Sequence, residues 1–206
     1  MHIRLQKDHV EISGYVNAVE RESRPLWSRM GQFIEKICKG AFKSAITRND
    51  DVHILLNHDW HRDLGSTMQG NLELTEDSIG LHARATISDE EVVQKARNGD
   101  LIGWSFGFKD VPGGFEKRVI DGMETRIVKD LDLYEVSILD RTKSPAYEGT
   151  LIMARSTDND LYFRGEDFID EVQVQTIEPP NQQATAVDID YSQAENIIKE
   201  MRGEQL

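Results

Sequence analysis

A chain of 206 residues with a net charge of −13 is long enough for one sizeable core plus an appendage. Its acidity argues against nucleic acid as the main partner, because phosphate binding needs a basic surface. A single cysteine, Cys38, excludes an internal disulfide and fits a reducing compartment. No apolar run approaches the ~20 residues of a membrane span, and residues 1–8 lack the apolar stretch of a signal peptide. The expectation is a cytoplasmic protein with no membrane contact.

The charge is unevenly spread. Residues 157–206 hold 12 acidic and 3 basic residues, against 25 and 21 in residues 1–156. That shift predicts a core domain over 1–156 and an acidic tail over 157–206. In chain order, residues 10–18 alternate and predict a first strand. Residues 20–31 are charged and polar, with Pro25 and Gly31, and predict a loop. Residues 33–37 suit strand or helix equally. Residues 41–48 predict a short helix with Phe42, Ala45 and Ile46 on one face.

Residues 51–58 read as an apolar strand ending in polar residues, followed by a loop over 59–65. Residues 67–75 and 78–87 suggest a hairpin. Ser88-Asp89-Glu90-Glu91 has the pattern of a capping box and opens a helix that stops at Asn98-Gly99. After the strand over 101–108, Pro112-Gly113-Gly114 turns the chain into a β pair near 115–120 and 124–130. Residues 131–139 form one more strand. Pro179-Pro180-Asn181-Gln182-Gln183 is linker-like, and Ser192-Gln193-Ala194-Glu195 opens a terminal helix that either docks on its own domain or binds a partner. About seven short strands with few helices predict a mainly β fold with flanking helices, an antiparallel barrel or sandwich.

One strand stands out for its chemistry. In Leu101-Ile102-Gly103-Trp104-Ser105-Phe106-Gly107-Phe108, the aromatic residues share one face and suit a core. The other face is Gly103, Ser105 and Gly107, bare backbone with one hydroxyl at its centre, where a substrate backbone can approach closely. Ser105 is the candidate nucleophile. Gly103-Trp104-Ser105-Phe106-Gly107 matches the nucleophile elbow of α/β-hydrolases, but the elbow runs straight into a helix. Here Pro112-Gly113-Gly114 follows instead. All six histidines also precede Ser105, whereas the hydrolase histidine follows its serine. This order disfavours a serine esterase on an α/β fold.

A serine hydroxyl needs a base, because it is barely ionised near neutrality. His58, at the end of an apolar strand beside a polar loop, is the candidate base. Glu135, inside Leu133-Tyr134-Glu135-Val136-Ser137, is the candidate group to orient it. Asp132, Asp59 and His82 are alternatives for that third place. A metal site at His53, His58, His61 and Asp63 is disfavoured, since the zinc spacing is absent and His53 and His58 have opposite strand parity. Cys38 reads as a small buried apolar group, and no phosphate-binding glycine loop is present. No cofactor is expected.

The order His, Ser, acid on a small β fold resembles the tailed-phage prohead (capsid maturation) protease family. The resemblance lies in Gly14-Tyr15-Val16, Lys39-Gly40-Ala41-Phe42 and Leu56-Asn57-His58-Asp59. It continues in Gly103-Trp104-Ser105-Phe106-Gly107-Phe108 and Asp132-Leu133-Tyr134-Glu135-Val136-Ser137. These pieces span roughly residues 10–150. The resemblance implies a small β-barrel of the herpesvirus-protease (assemblin) type. The activity it implies is a serine endopeptidase that cuts the scaffold part of the major capsid protein, a separate scaffold, or itself.

His58 and Ser105 fall on motif positions. Glu135 departs from the relatives, which carry a histidine as third member. Backbone N–H groups near Arg141-Thr142-Lys143, or the Arg62 side chain, are candidate oxyanion donors. Implied partners are the major capsid protein with its scaffold segment, the portal protein as a further candidate, and further copies of the chain in a dimer or higher oligomer. The implied location is the immature prohead in the host cytoplasm. The competing reading is a non-catalytic capsid-assembly scaffold that keeps a protease-like fold.

Overall fold

The strands found in the computed structural model, which describes residues 1–28, 31–143, 161–165 and 173–176, form three sheets. In chain order they are β1 (His2–Leu5), β2 (Val10–Ala18), β3 (Leu26–Ser28), β4 (Gly31–Ile37), β5 (His53–Leu56), β6 (Asp59–Ser66) and β7 (Leu72–Glu76). Then come β8 (Gly80–Ile87), β9 (Leu101–Asp110), β10 (Phe115–Ile120), β11 (Met123–Val128), β12 (Leu131–Asp140), β13 (Leu161–Gly165) and β14 (Gln173–Thr176). Two helices, α1 (Ala41–Arg48) and α2 (Glu90–Asn98), interrupt them.

The fold is mainly β. Its strands pair in the orders β14-β1-β2-β8-β7, β10-β11-β4-β3 and β13-β9-β12-β5-β6. Pairing is antiparallel except for β1 with β14, β11 with β4, and β12 with β5. Trp104, Phe106 and Phe108 are buried, as their alternation predicts, and join one core with Ile54, Leu56, Val136 and Ile138 of the neighbouring strands. Phe42 of α1 meets Phe106 edge-on, ring centroids 5.2 Å apart. Burying such a side chain stabilises the fold by about 1.5–3 kcal/mol each. This core fixes β9, β12 and β5 side by side.

Several expectations need correction. Residues 59–65 are not a loop; they form most of β6, an edge strand whose charged residues face solvent. Polar composition hid that strand, as it hid β3 within residues 20–31 and β1 at the start of the chain. The undecided stretch at 33–37 is strand β4. The cap of α2 is Asp89, whose side chain accepts a hydrogen bond from Val92 N–H at 3.0 Å. Ser88 does not cap the helix, and Glu91 turns instead to Arg62 and Lys95. Gly99 ends α2 in the left-handed region (φ 72°), where glycine carries no Cβ penalty.

Backbone from beyond residue 156 adds a strand to two of the sheets. β13 pairs with β9, and β14 pairs with β1. The linker expected at 179–183 and the helix expected from Ser192 lie outside the described residues.

Candidate active site

His58 does not sit on a strand, so the parity argument that set it opposite His53 does not apply to it. Leu56 pairs with Asp59, leaving Asn57 and His58 as a two-residue hairpin loop between β5 and β6. Both have positive φ, 58° and 61°, as a type I′ turn requires at its central positions. Asparagine tolerates this region; histidine does so at a cost of about 1–2 kcal/mol. Tertiary bonds hold the turn. Asn57 N–H donates to Ile138 C=O at 2.9 Å, and Asp140 N–H donates to Asn57 Oδ1 at 3.1 Å.

Glu135 reaches the same place through a bulge. Leu133 pairs with Phe108 on the core face, but Glu135 pairs with Gly107, leaving Tyr134 as the extra residue. The bulge flips the alternation, so Val136 and Ile138 turn inward while Glu135 and Ser137 share the other face. Re-aiming a side chain in this way is a common use of bulges. Glu135 lies in a central strand and is fully buried. Its two oxygens are both bonded, Oε1 by His58 Nδ1 at 2.8 Å and Oε2 by Ser137 Oγ at 2.5 Å. A carboxylate on Nδ1 fixes that nitrogen as the donor and leaves Nε2 as the acceptor.

Ser105 stands directly across from Ser137 in the β9–β12 register, with Gly165 of β13 on its other side. Directly opposed residues on such a pair have Cβ atoms about 4.5–5.5 Å apart. Ser105 therefore shares a face with Glu135 and lies one strand from the group that holds His58. It is completely buried, whereas the His58 side chain keeps 20% of its surface. There is room at Gly103, where a Cβ would meet no atom within 4 Å.

A cleft of about 470 Å³ opens on His58, lined by Asn57, Arg62, Glu91, Lys95, Asp140 and Thr142. Ion pairs tie its wall together: Arg62 to Asp89 and Glu91, and Lys95 to Glu91 at 3.2 Å and to Asp140 at 2.9 Å. Burial pushes the Asp140 carboxyl up, but hydrogen bonds from Lys95, Thr142 and Asn57 outweigh it and hold the group well below the usual carboxylate range.

Three of the candidate oxyanion donors are already engaged. Arg141 N–H donates to Asp100 C=O at 3.0 Å and Thr142 N–H to Asp140 Oδ1 at 2.9 Å, and the Arg62 guanidinium is held by two carboxylates. Asp132 pairs with Arg48, Asp59 accepts from His61 N–H, and His82 lies in another sheet against Tyr15. It is Glu135 that bonds His58 Nδ1. Burial, with Glu20 nearby, pushes the Cys38 thiol up and away from thiolate chemistry.

Sequence reasoning missed Ser137, Asn57 and Asp140. The first had a signal. Apolar residues fall on odd positions at Leu131 and Leu133 and on even positions at Val136 and Ile138, which marks a bulge between them.

Strands β9 and β12 and the turn after β5 thus bring a serine, a buried carboxylate and a histidine to one side of a sheet, the residue types a serine hydrolase uses. The chain belongs to the caudovirus prohead serine protease family, whose model matches residues 1–162. It is 24% identical over 151 residues to the prohead protease of Escherichia phage T5, covering 66% of this chain and 68% of that protein. No solved structure matches. The family makes the protein a serine peptidase of phage capsid maturation, associated with capsid proteins in the immature head. Among the described residues, no helix is long and apolar enough to cross a membrane.

Proposed function

We propose that the protein is an endopeptidase that cuts the scaffold segment of the major capsid protein, and itself, with Ser105 as nucleophile, His58 as base and Glu135 as orienting group. The observation that carries this reading is the 2.8 Å bond between His58 Nδ1 and buried Glu135, on the sheet face that the β9–β12 register shares with Ser105. The chemistry is acyl transfer. His58 Nε2 takes the Ser105 proton as Oγ bonds to the scissile carbonyl carbon. Collapse of the tetrahedral adduct breaks the C–N bond, and His58 returns the proton to the leaving amine. Water then repeats the sequence against the acyl-enzyme. Glu135 holds the imidazole and offsets the charge of the imidazolium.

Around this site we read the three sheets as a small barrel of the herpesvirus-protease type, an arrangement supported by their one shared core. The domain over 1–156 would carry the chemistry, and the acidic tail over 157–206 would meet the shell. Further copies of the chain, and the portal protein, are the remaining candidate partners. The complete burial of Ser105 favours a second reading, a capsid-assembly scaffold that keeps the fold without cutting.

Co-expression with the major capsid protein separates the two readings. Intact mass should show the capsid protein or the protease itself trimmed with the wild-type chain, and neither trimmed with Ser105→Ala or His58→Ala. Trimming by either mutant would refute the proposed groups. Absence of trimming by a folded wild type would favour the scaffold.

A further inference from the structure

Two serines face each other across β9 and β12, and only one can be the nucleophile. Ser137 is fully buried, and its hydroxyl is used twice. It donates its one proton to Glu135 Oε2 at 2.5 Å, and it accepts from the His58 backbone N–H at 3.1 Å. A serine hydroxyl has one donor and two acceptor positions, so the bond to Glu135 takes its entire donor capacity. The same oxygen thus touches the side chain of the orienting residue and the main chain of the base. We propose that Ser137 is the positioning residue of this site, holding the Glu135 carboxylate and the left-handed turn of His58 as one hydrogen-bonded unit.

The inference rests on the reading of Ser105, His58 and Glu135 as the reacting set, and it adds a residue that acts through two of them. Without the Ser137 hydroxyl, Glu135 Oε2 is left as a buried acceptor lacking that partner, and the carboxylate can rotate toward other donors. The His58 N–H loses its tie to β12, so a turn already at positive φ is held by fewer bonds. Both changes move the imidazole relative to Ser105. Misplacement of a catalytic group by about 1 Å lowers rate by around 10²-fold, while the chain's affinity for a ligand is untouched. Ser137 acts through Glu135 and the His58 turn, so its effect falls on the rate rather than on affinity.

The test uses the full chain and an alkyl fluorophosphonate, which needs no knowledge of the natural cleavage site. Serine Oγ bonds to phosphorus, the P–F bond breaks, fluoride leaves, and the serine proton passes to the base. Ser137→Ala should lower kinact by about 10–100-fold, with KI within twofold of wild type. Ser137→Cys fills the site with a slightly larger group that has only a weak S–H donor, and should show the same loss even if the alanine variant folds poorly. Ser137→Thr restores a hydroxyl and should recover most of kinact.

Peptide mass mapping should place the adduct on Ser105 throughout, and Ser105→Ala should not react. A kinact for Ser137→Ala or Ser137→Cys within twofold of wild type, with Ser105→Ala dead, overturns the positioning role alone. So does a Ser137→Thr variant that melts like wild type yet is as slow as Ser137→Ala. An adduct on Ser137, or full labelling of Ser105→Ala, overturns both this inference and the nucleophile assignment beneath it.

Discussion

Replacing Glu135 with glutamine tests the site most sharply, because the change keeps shape and removes charge. The carboxylate accepts two bonds, from His58 Nδ1 and from Ser137 Oγ, and glutamine can accept with only one of its two polar atoms. If the amide NH₂ faces Ser137, His58 keeps its tautomer but loses a charged acceptor. A hydrogen bond to a charged group is worth about 1.5–3 kcal/mol net, or roughly 10–100-fold in rate. If the NH₂ faces His58, the imidazole must carry its proton on Nε2, and it cannot accept from Ser105. In a serine-protease triad the equivalent tautomer reversal lowers kcat by about 10⁴.

The expectation for Glu135→Gln is therefore a fall of about 10–10⁴ in kinact for a fluorophosphonate, depending on which way the amide faces. That is a smaller loss than for Ser105→Ala or His58→Ala, where loss of nucleophile or base is about 10⁶ in a better-known system. Because the volume is unchanged, the urea midpoint should correspond to a stability change of no more than about 1–2 kcal/mol. Labelling rates followed from pH 6 to 9 decide the matter. A folded Glu135→Gln that reacts within about threefold of wild type across that range would refute the orienting role.

Two further outcomes follow from packing and charge. A Cβ at Gly80 would lie 2.0 Å from the Asn17 carbonyl oxygen and 2.8 Å from Ala18 Cα, whereas one at Gly103 meets nothing within 4 Å. Gly80→Ala should therefore destabilise by about 2–3 kcal/mol, a fall in Tm of about 5–10 °C by thermal melt, while Gly103→Ala should melt with the wild type. Lys95→Met leaves the buried Asp140 carboxylate without its ammonium, which should cost about 2 kcal/mol at pH 7, less than a fully buried pair because Lys95 is partly exposed. Asp140 is held below its ordinary range when folded, so its stabilisation is present above its unfolded pKa of about 3.9 and fades as pH falls further. Urea midpoints of wild type and Lys95→Met should accordingly differ most at pH 7 and converge toward pH 3; a gap that widens in acid would contradict the pairing.

Local patterns in the chain were enough to identify most elements and to single out the three residues proposed to react. Alternation marked β2, β9 and the core face of Trp104, Phe106 and Phe108, and the helical spacing and Asn98-Gly99 stop marked α1 and α2. These are short-range signals, readable because burial on one face imposes a period on the residues. Ser105 stood out by its glycines, and His58 and Glu135 by polarity at the end of, or within, apolar strands. Charged edge strands escaped detection, since β6 at Asp59–Ser66 reads as a loop until the pairing with β5 is known.

The tertiary structure decided everything that depends on register. His58 and Glu135 are 77 positions apart, and their contact needs the parallel pairing of β5 with β12. It also needs a bulge at Tyr134 that turns Glu135 away from the core, and a two-residue turn that holds His58 in the left-handed region. The same bulge puts Ser137 opposite Ser105 and under Glu135. A one-residue shift in strand pairing moves every side chain to the opposite face. Residue identities therefore name the groups, but only the packed sheet, with its core pinning the register, sets which serine meets which acid.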